Sequence, residues 1–116
     1  MDVSAKLQIK PGQRVATVGA PGDGPPIAGD TADVPEAADV VVAFVRSKAE
    51  LATIAVPAIE AARRDRLAWI AYPKAGKLGT DLNRDTLSAA LTGEGVQPVR
   101  QIAIDDVWSA LRFRPA

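Results

Sequence analysis

Two cations follow the two most apolar segments of the chain. The run DVVVAFV (39–45) is followed by Arg46 and Ser47, and the run LAWIAY (67–72) is followed within two residues by Lys74. Apolar runs that alternate with helical segments are typical of parallel strands buried on both faces, and ligands bind beyond the carboxyl ends of such strands. We therefore expect both cations at one edge of a sheet, where they can hold a phosphate or a carboxylate.

Other polar residues should meet at the same edge. Thr80 and Arg84 lie at the entry to the next helix, and the strand after that helix should run parallel and end beside them. The amides at Ser47 and Asn83 add donors for an anion, and the last tryptophan offers a face on which a planar ligand can stack. The predicted anion site comprises Arg46, Ser47, Lys74, Thr80, Arg84, Asp105, Asp106 and Trp108.

The same residues support a second interpretation that needs no ligand. Arg46 and Lys74 could instead form ion pairs with nearby carboxylates. Those carboxylates are Asp81, Asp105 and Asp106. Such a network would neutralise the strand ends, and the tryptophan would then only cover the sheet edge. The residue types alone leave both interpretations open.

The residue types also limit catalysis. The chain has no cysteine and no histidine, which removes thiolate chemistry, the commonest zinc ligand and the usual general base. Asp105 and Asp106 are adjacent, and on a strand they would point to opposite faces and could not act as a carboxylate pair. In a turn they could converge, but two aspartates in a turn usually serve only the turn. We predict no catalytic residue, no metal and no cofactor, and we favour a function other than catalysis.

Composition bounds the class of protein. With 116 residues, 47% of them hydrophobic, the chain is expected to form a single globular domain over 1–116. Fourteen basic residues balance fourteen acidic ones, which offers no electrostatic case for nucleic acid as a partner. No segment has the length of an export signal or approaches the ~20 apolar residues that cross a bilayer, so we expect a cytoplasmic protein without a membrane partner.

Alternating apolar and helical segments define the predicted fold. Strands are predicted over 14–19, 39–45, 67–72, 98–105 and 107–113, and the last two should form an antiparallel hairpin. We expect a three-layer α/β, Rossmann-like fold, whose mostly parallel sheet of about five strands ends in that C-terminal hairpin.

Local signals predict where the helices begin. Ser47 and Glu50 are spaced as a capping box, which predicts a helix over 48–56. Pro57 either kinks that helix or begins a second one. Asn83 is the predicted N-cap of a further helix, with leucines on either side that clamp its entry.

The order of these elements resembles the Rossmann-like sheet of class I methyltransferases. DVVVAFV and LAWIAYPK resemble their fourth and fifth strands, and PGQRVATVGAPGDG (11–24) resembles their cofactor motif. The resemblance implies a methyl-donor site in that segment. The glycines of this segment, however, do not have the spacing of a glycine-rich turn that leads directly into a helix. Its prolines also prevent a helix from starting there. We therefore expect no bound cofactor.

Five blocks are also similar to a group of short uncharacterised bacterial proteins, which share only a domain of unknown function. That resemblance implies a fold and brings no activity. The blocks are KPGQRV (10–15), DVVVAFVRSKAEL (39–51), LAWIAYPK (67–74), TDLNRD (80–85) and IDDVWSALRF (104–113).

The leading prediction is a non-catalytic α/β module that binds a small anionic ligand or a protein partner. One alternative is a methyltransferase-related enzyme with a degenerate cofactor site. Another is a structural subunit of an oligomeric assembly, such as a homo-oligomer joined through the sheet edge or a helix face.

Overall fold

The computed structural model describes residues 3–20, 30–31, 35–74 and 77–116, and within them six strands form one sheet. The strands are β1 (Arg14–Val18), β2 (Asp30–Thr31), β3 (Val40–Phe44), β4 (Leu67–Pro73), β5 (Val96–Ala103) and β6 (Trp108–Pro115). The α-helices are α1 (Val3–Lys6), α2 (Val56–Arg63) and α3 (Arg84–Leu91). Short 3-10 segments span Pro35–Ala37, Lys48–Ala52, Lys77–Gly79 and Thr92–Glu94.

The sheet mixes parallel and antiparallel pairs. Its strand order is β2-β1-β3-β4-β6-β5. β1 pairs in parallel with β3, and β3 with β4, whereas β4 and β5 both pair antiparallel with β6. β2 adds only a two-residue parallel ladder beside β1. Among the five longer strands, two adjacent pairs are therefore parallel and two antiparallel, so the expected mostly parallel sheet is wrong.

The expected three-layer, Rossmann-like arrangement is also wrong, because α2 and α3 lie on the same face of the sheet. Ala62 of α2 and Leu87 of α3 are buried in one cluster with Val41 and Ile70 of the central strands. Right-handed connections that advance through a sheet in one direction place their helices on one side. The chain advances in this way from β1 through β3 to β4 and on to β5. The result is a sheet-dominated α+β fold, and we call this side the helical face.

The opposite face of the sheet is covered by a thinner layer. Its buried cluster includes Leu7, Trp69 and Trp108. Leu7 follows α1 and is fully buried, and its carbonyl oxygen accepts a hydrogen bond from Nε1 of Trp69 (3.0 Å). This bond fixes the N-terminal segment across β4. None of the helices in the described ranges is long and apolar enough to cross a bilayer.

The predicted capping box at Ser47 does not form. The Ser47 side chain makes no capping hydrogen bond, and Lys48–Ala52 is a 3-10 segment instead of the start of an α-helix. Glu50 accepts from the Arg46 amide (2.6 Å), one residue before the one that a capping box would use. A second carboxylate, that of Asp81, accepts from the Lys48 amide (2.9 Å). The Glu50 amide, which the Ser47 side chain was predicted to bind, donates to the Ser47 backbone carbonyl instead (3.2 Å).

The other two helix starts agree with their local signals. Pro57 is the second residue of α2, where its missing N–H breaks no hydrogen bond within the helix. Asn83 is the N-cap of α3: its side chain accepts from the Thr86 amide (2.9 Å), and Thr86 Oγ1 accepts from the Asn83 amide (2.8 Å). Leu82 and Leu87 are both buried beside this reciprocal cap.

Gly19 follows β1 and is required by close packing. Its φ is +70°, and a Cβ there would lie 2.7 Å from both the Phe44 carbonyl oxygen and Cγ2 of Ile54. Gly22 and Gly24, the other glycines of the predicted cofactor motif, lie outside the described residues. The close contact of Gly19 with β3 and with the segment before α2 explains why this position is a glycine.

We predict that Gly19→Ala lowers the free energy of unfolding by at least about 2 kcal/mol, through left-handed strain and steric overlap together. Gly12→Ala is the matched control. It has a φ of +85° and nothing within 4 Å of the added Cβ, so it should lose only the strain, about 1 kcal/mol. Urea denaturation of both variants measures the difference. Equal losses would contradict the packing role of Gly19.

Candidate functional site

The predicted site residues do share one edge of the sheet. Phe44 near the end of β3 pairs with Ala71, and Pro73 at the end of β4 pairs with Trp108. The Lys74 amide then donates to the Val107 carbonyl (2.7 Å), which joins the end of β4 to the turn between β5 and β6. The ends of β3 and β4 and this turn therefore lie side by side.

The alternation of side chains divides these residues between the two faces. Arg46 contacts Trp108, whose ring belongs to the cluster on the opposite face. Lys74 and Arg84 line a groove together with Tyr72, which belongs to the cluster on the helical face. Arg46 and Lys74 are thus neighbours along the edge but are separated by the thickness of the sheet.

Trp108 is already enclosed by the protein. Its ring is 3% exposed and meets Phe44 edge to face, with the ring centroids 5.2 Å apart. The Arg46 guanidinium carbon lies 5.7 Å from the centroid of the Trp108 ring, within the range of a cation–π interaction. These contacts occupy Trp108 within the fold, and Arg46 serves as its cover.

Two of the polar residues at this edge, Asp105 and Thr80, accept hydrogen bonds from backbone amides. Oδ1 of Asp105 accepts from the amides of Val107 (2.8 Å) and Trp108 (2.7 Å), which closes the turn between β5 and β6. Oγ1 of Thr80 accepts from the Leu82 amide (3.0 Å) just before α3. Asp106 is exposed, and Ser47 is half-buried at the start of its 3-10 segment.

The ion-pair network considered as an alternative is not present in the described part of the chain. The ion pairs found there join Arg63 to Glu94 (3.6 Å) and Arg114 to Asp65 (3.1 Å), both distant from this edge. Within the same ranges, the side chains of Lys74 and Arg84 form no ion pair or hydrogen bond. The side chains of Lys74 and Arg84 therefore lie beside the groove with their hydrogen-bond donors available to a ligand.

The groove lies between the start of α3 and the central strands, and its volume is about 260 Å3. None of its lining residues is acidic. Nε2 of Gln101 donates to the Tyr72 hydroxyl oxygen (3.1 Å), which leaves the hydroxyl proton for another acceptor. The lining residues are Tyr72, Lys74, Asn83, Arg84, Gln101 and Ser109.

The pKa of Tyr72 reflects the burial and the charges around the groove. Burial of the phenol raises its pKa above the ordinary value near 10, the positive charge of Arg84 acts to lower that pKa, and Asp85 acts to raise it. Tyr72 is therefore a neutral hydrogen-bond donor at neutral pH. The described residues contain no group of three or more carboxylates that could hold a metal ion.

Three residues that line the groove were not among the predicted site residues: Tyr72, Gln101 and Ser109. Alternation along LAWIAYPK places Tyr72 on the same face as Lys74, two residues away, so this signal was present. The positions of Gln101 and Ser109 depend on the pairing of β4 with β6 and of β6 with β5. That register cannot be read from the residues alone.

We expect the two adjacent aspartates of the turn to differ in their effect on stability. Asp105→Ala should lower the free energy of unfolding by about 1–2 kcal/mol, because two backbone amides lose their acceptor. Asp106→Ala removes the same charge from the same turn and should change stability by less than about 0.5 kcal/mol. Thermal and urea denaturation would measure both variants, and equal losses would refute the structural role of Asp105.

No protein-family model, no curated protein and no solved structure matches this chain. The resemblances to class I methyltransferases and to short uncharacterised bacterial proteins therefore stay predictions. The geometry of the described residues is the basis on which a function can be argued.

Proposed function

We propose that this protein binds a small anion, a carboxylate or a phosphate, in the groove beside α3. The observation that carries the proposal is the charge of the groove: Lys74 and Arg84 line it, and its lining contains no carboxylate. A cation without a partner at a concave surface binds anions, and a guanidinium can take a carboxylate or a phosphate with two hydrogen bonds.

Hydrogen-bond donors around the groove support the same class of ligand. The Tyr72 hydroxyl proton and the Ser109 hydroxyl can donate, as can the amide nitrogen of the Asn83 side chain. The Thr86 amide is bound by the cap, but the amides of Arg84 and Asp85 have no acceptor within the helix, and their partial positive charge adds to that of the Arg84 side chain. A volume of about 260 Å3 suits a ligand of a few heavy atoms rather than a dinucleotide.

Six of the eight predicted site residues have a role in this arrangement, and Ser47 and Asp106 have none. Lys74 and Arg84 bind the anion. Thr80 and Asp105 shape the edge through backbone hydrogen bonds, and Arg46 and Trp108 stabilise the opposite face. Binding is proposed without catalysis, because the described lining of the groove has no carboxylate and the chain has no histidine or cysteine to serve as general base or nucleophile.

Substitution of the two cations tests the site. Lys74→Ala and Arg84→Ala should each weaken binding of inorganic phosphate or citrate by about tenfold, the loss expected for one charge-assisted contact. Lys77→Ala is the control, since it removes an equal charge from an exposed position on the same loop. Isothermal titration calorimetry at constant ionic strength measures all three variants. Equal weakening in all three would indicate only general electrostatic attraction, and the site would be rejected.

Tyr72 provides an independent test through pH. Because its folded pKa is raised, the protonated phenol contributes stability that is fully present below the unfolded pKa near 10 and is lost as pH rises through the folded pKa. Tyr72→Phe should remove this part of the pH dependence. Tyr72 is the only tyrosine, so absorbance titration follows it directly, and a bound anion should raise its pKa further. A pKa that is unchanged at saturating citrate would place the ligand elsewhere.

A further inference from the structure

A second cavity lies on the opposite face, towards the other end of the sheet. Its volume is about 260 Å3, and the described residues that line it include two cations, two side-chain amides and no carboxylate. It is close to the start of β1 and of β4, whereas the groove beside α3 lies at the ends of β3 and β4, so the two cavities have no residue in common. The lining residues are Gln8, Lys10, Gln13, Leu67 and Arg112.

Arg112 carries an unsatisfied hydrogen-bond donor in this cavity wall. It lies opposite Trp69 in the ladder between β4 and β6, and its Nη1 donates to Oε1 of Gln8 (2.9 Å). Its Nε is buried and has no hydrogen-bond partner. A buried donor without an acceptor is costly, and native structures seldom keep one without a reason such as a bound ion or water.

The charges around Arg112 are predominantly positive. Burial lowers its pKa, the positive charges of Arg114 and Arg100 lower it further, and among the contributing charges only Asp65 raises it. Asp65 is itself engaged by Arg114 through two hydrogen bonds, of 3.1 and 3.3 Å. The chain as a whole has no net charge, so this is a local excess of cations.

The backbone around the cavity holds its polar groups in place. Lys10 and Gln13 close a tight turn, in which the Gln13 amide donates to the Lys10 carbonyl (3.2 Å) and Oε1 of Gln13 accepts from the Lys10 amide (2.8 Å). Gln8 has a φ of +63°, a left-handed conformation that costs free energy in a residue with a side chain. That conformation accompanies the hydrogen bond that Arg112 donates to the Gln8 side chain.

We propose that this cavity is a second anion site, at which the guanidinium edge of Arg112 formed by Nε and Nη2 binds a carboxylate while Lys10 supplies the second charge. Nη1 is already held by Gln8, which limits the orientations of the planar fork before the ligand arrives. Nε is buried in the free protein, so the half-buried Arg112 side chain must shift slightly before Nε can contact a ligand. Binding would give Nε its missing acceptor and offset the local excess of positive charge.

The Nε–H signals of arginine in a 1H–15N NMR spectrum test this site in the unmodified protein. Titration with sodium acetate should shift the Arg112 Nε–H signal downfield, with a dissociation constant in the millimolar range expected for one partly exposed bidentate pair. Sodium chloride at equal ionic strength should leave the signal in place. An Arg112 signal that responds equally to both salts, or to neither, would overturn the proposal.

Two variants sharpen the result. Arg112→Lys keeps the charge but removes the fork, so it should abolish the acetate response of this region and also assign the Nε–H signal by its disappearance. Lys10→Ala should weaken acetate binding severalfold, with exposed Lys48→Ala as the control of equal charge. If Arg112→Lys fails to fold, the acetate titration of the unmodified protein and the comparison of Lys10→Ala with Lys48→Ala still test the site. Equal affinities in the lysine variants would exclude the assigned role of Lys10.

The outcome is independent of the function proposed above. Lys74→Ala should leave the Arg112 response to acetate unchanged, because Lys74 lies on the other face of the sheet. Loss of the Arg112 response in Lys74→Ala would mean that both signals come from one site, and the second site would be rejected.

Discussion

The pairing of β4 with β6 is the constraint on which both cavities depend. β4 is where the parallel part of the sheet meets the antiparallel hairpin, and six of its seven residues are buried. Its register sets Tyr72 opposite Ser109 in the groove beside α3, and Trp69 opposite Arg112 at the second cavity. A slip of one residue would move every β6 side chain to the other face and dismantle both cavities together.

The two faces of the sheet differ because α2 and α3 both lie on one side. α2 and α3 cover the helical face and leave a groove where α3 begins, close to Lys74. The opposite face is covered by large aromatic side chains and by the segment around Leu7. Arg46 over Trp108 and Arg112 beside Trp69 are consequences of that thin layer.

Much of the local structure could be predicted from the residues. The apolar runs at 39–45 and 67–72 match β3 and β4 to within a residue, because strands buried on both faces leave an unbroken hydrophobic signal. The cap at Asn83 was equally predictable, since donor and acceptor are three residues apart. The predicted cap at Ser47 does not form, because the segment is a 3-10 helix in which the Glu50 amide donates to the Ser47 backbone carbonyl, while Asp81, distant in sequence, accepts from the Lys48 amide.

The sequence by itself determined the five longer strands, the helix start at Asn83 and the edge at which Arg46 and Lys74 emerge, because each depends on neighbouring residues. Only the tertiary structure decided the strand order, the single helical face and the separation of those two cations across the sheet. It also brought Gln8, Lys10 and Arg112 together across more than a hundred positions of the chain. Contacts of that kind arise from strand pairing and register, which the whole chain selects by burying its apolar faces.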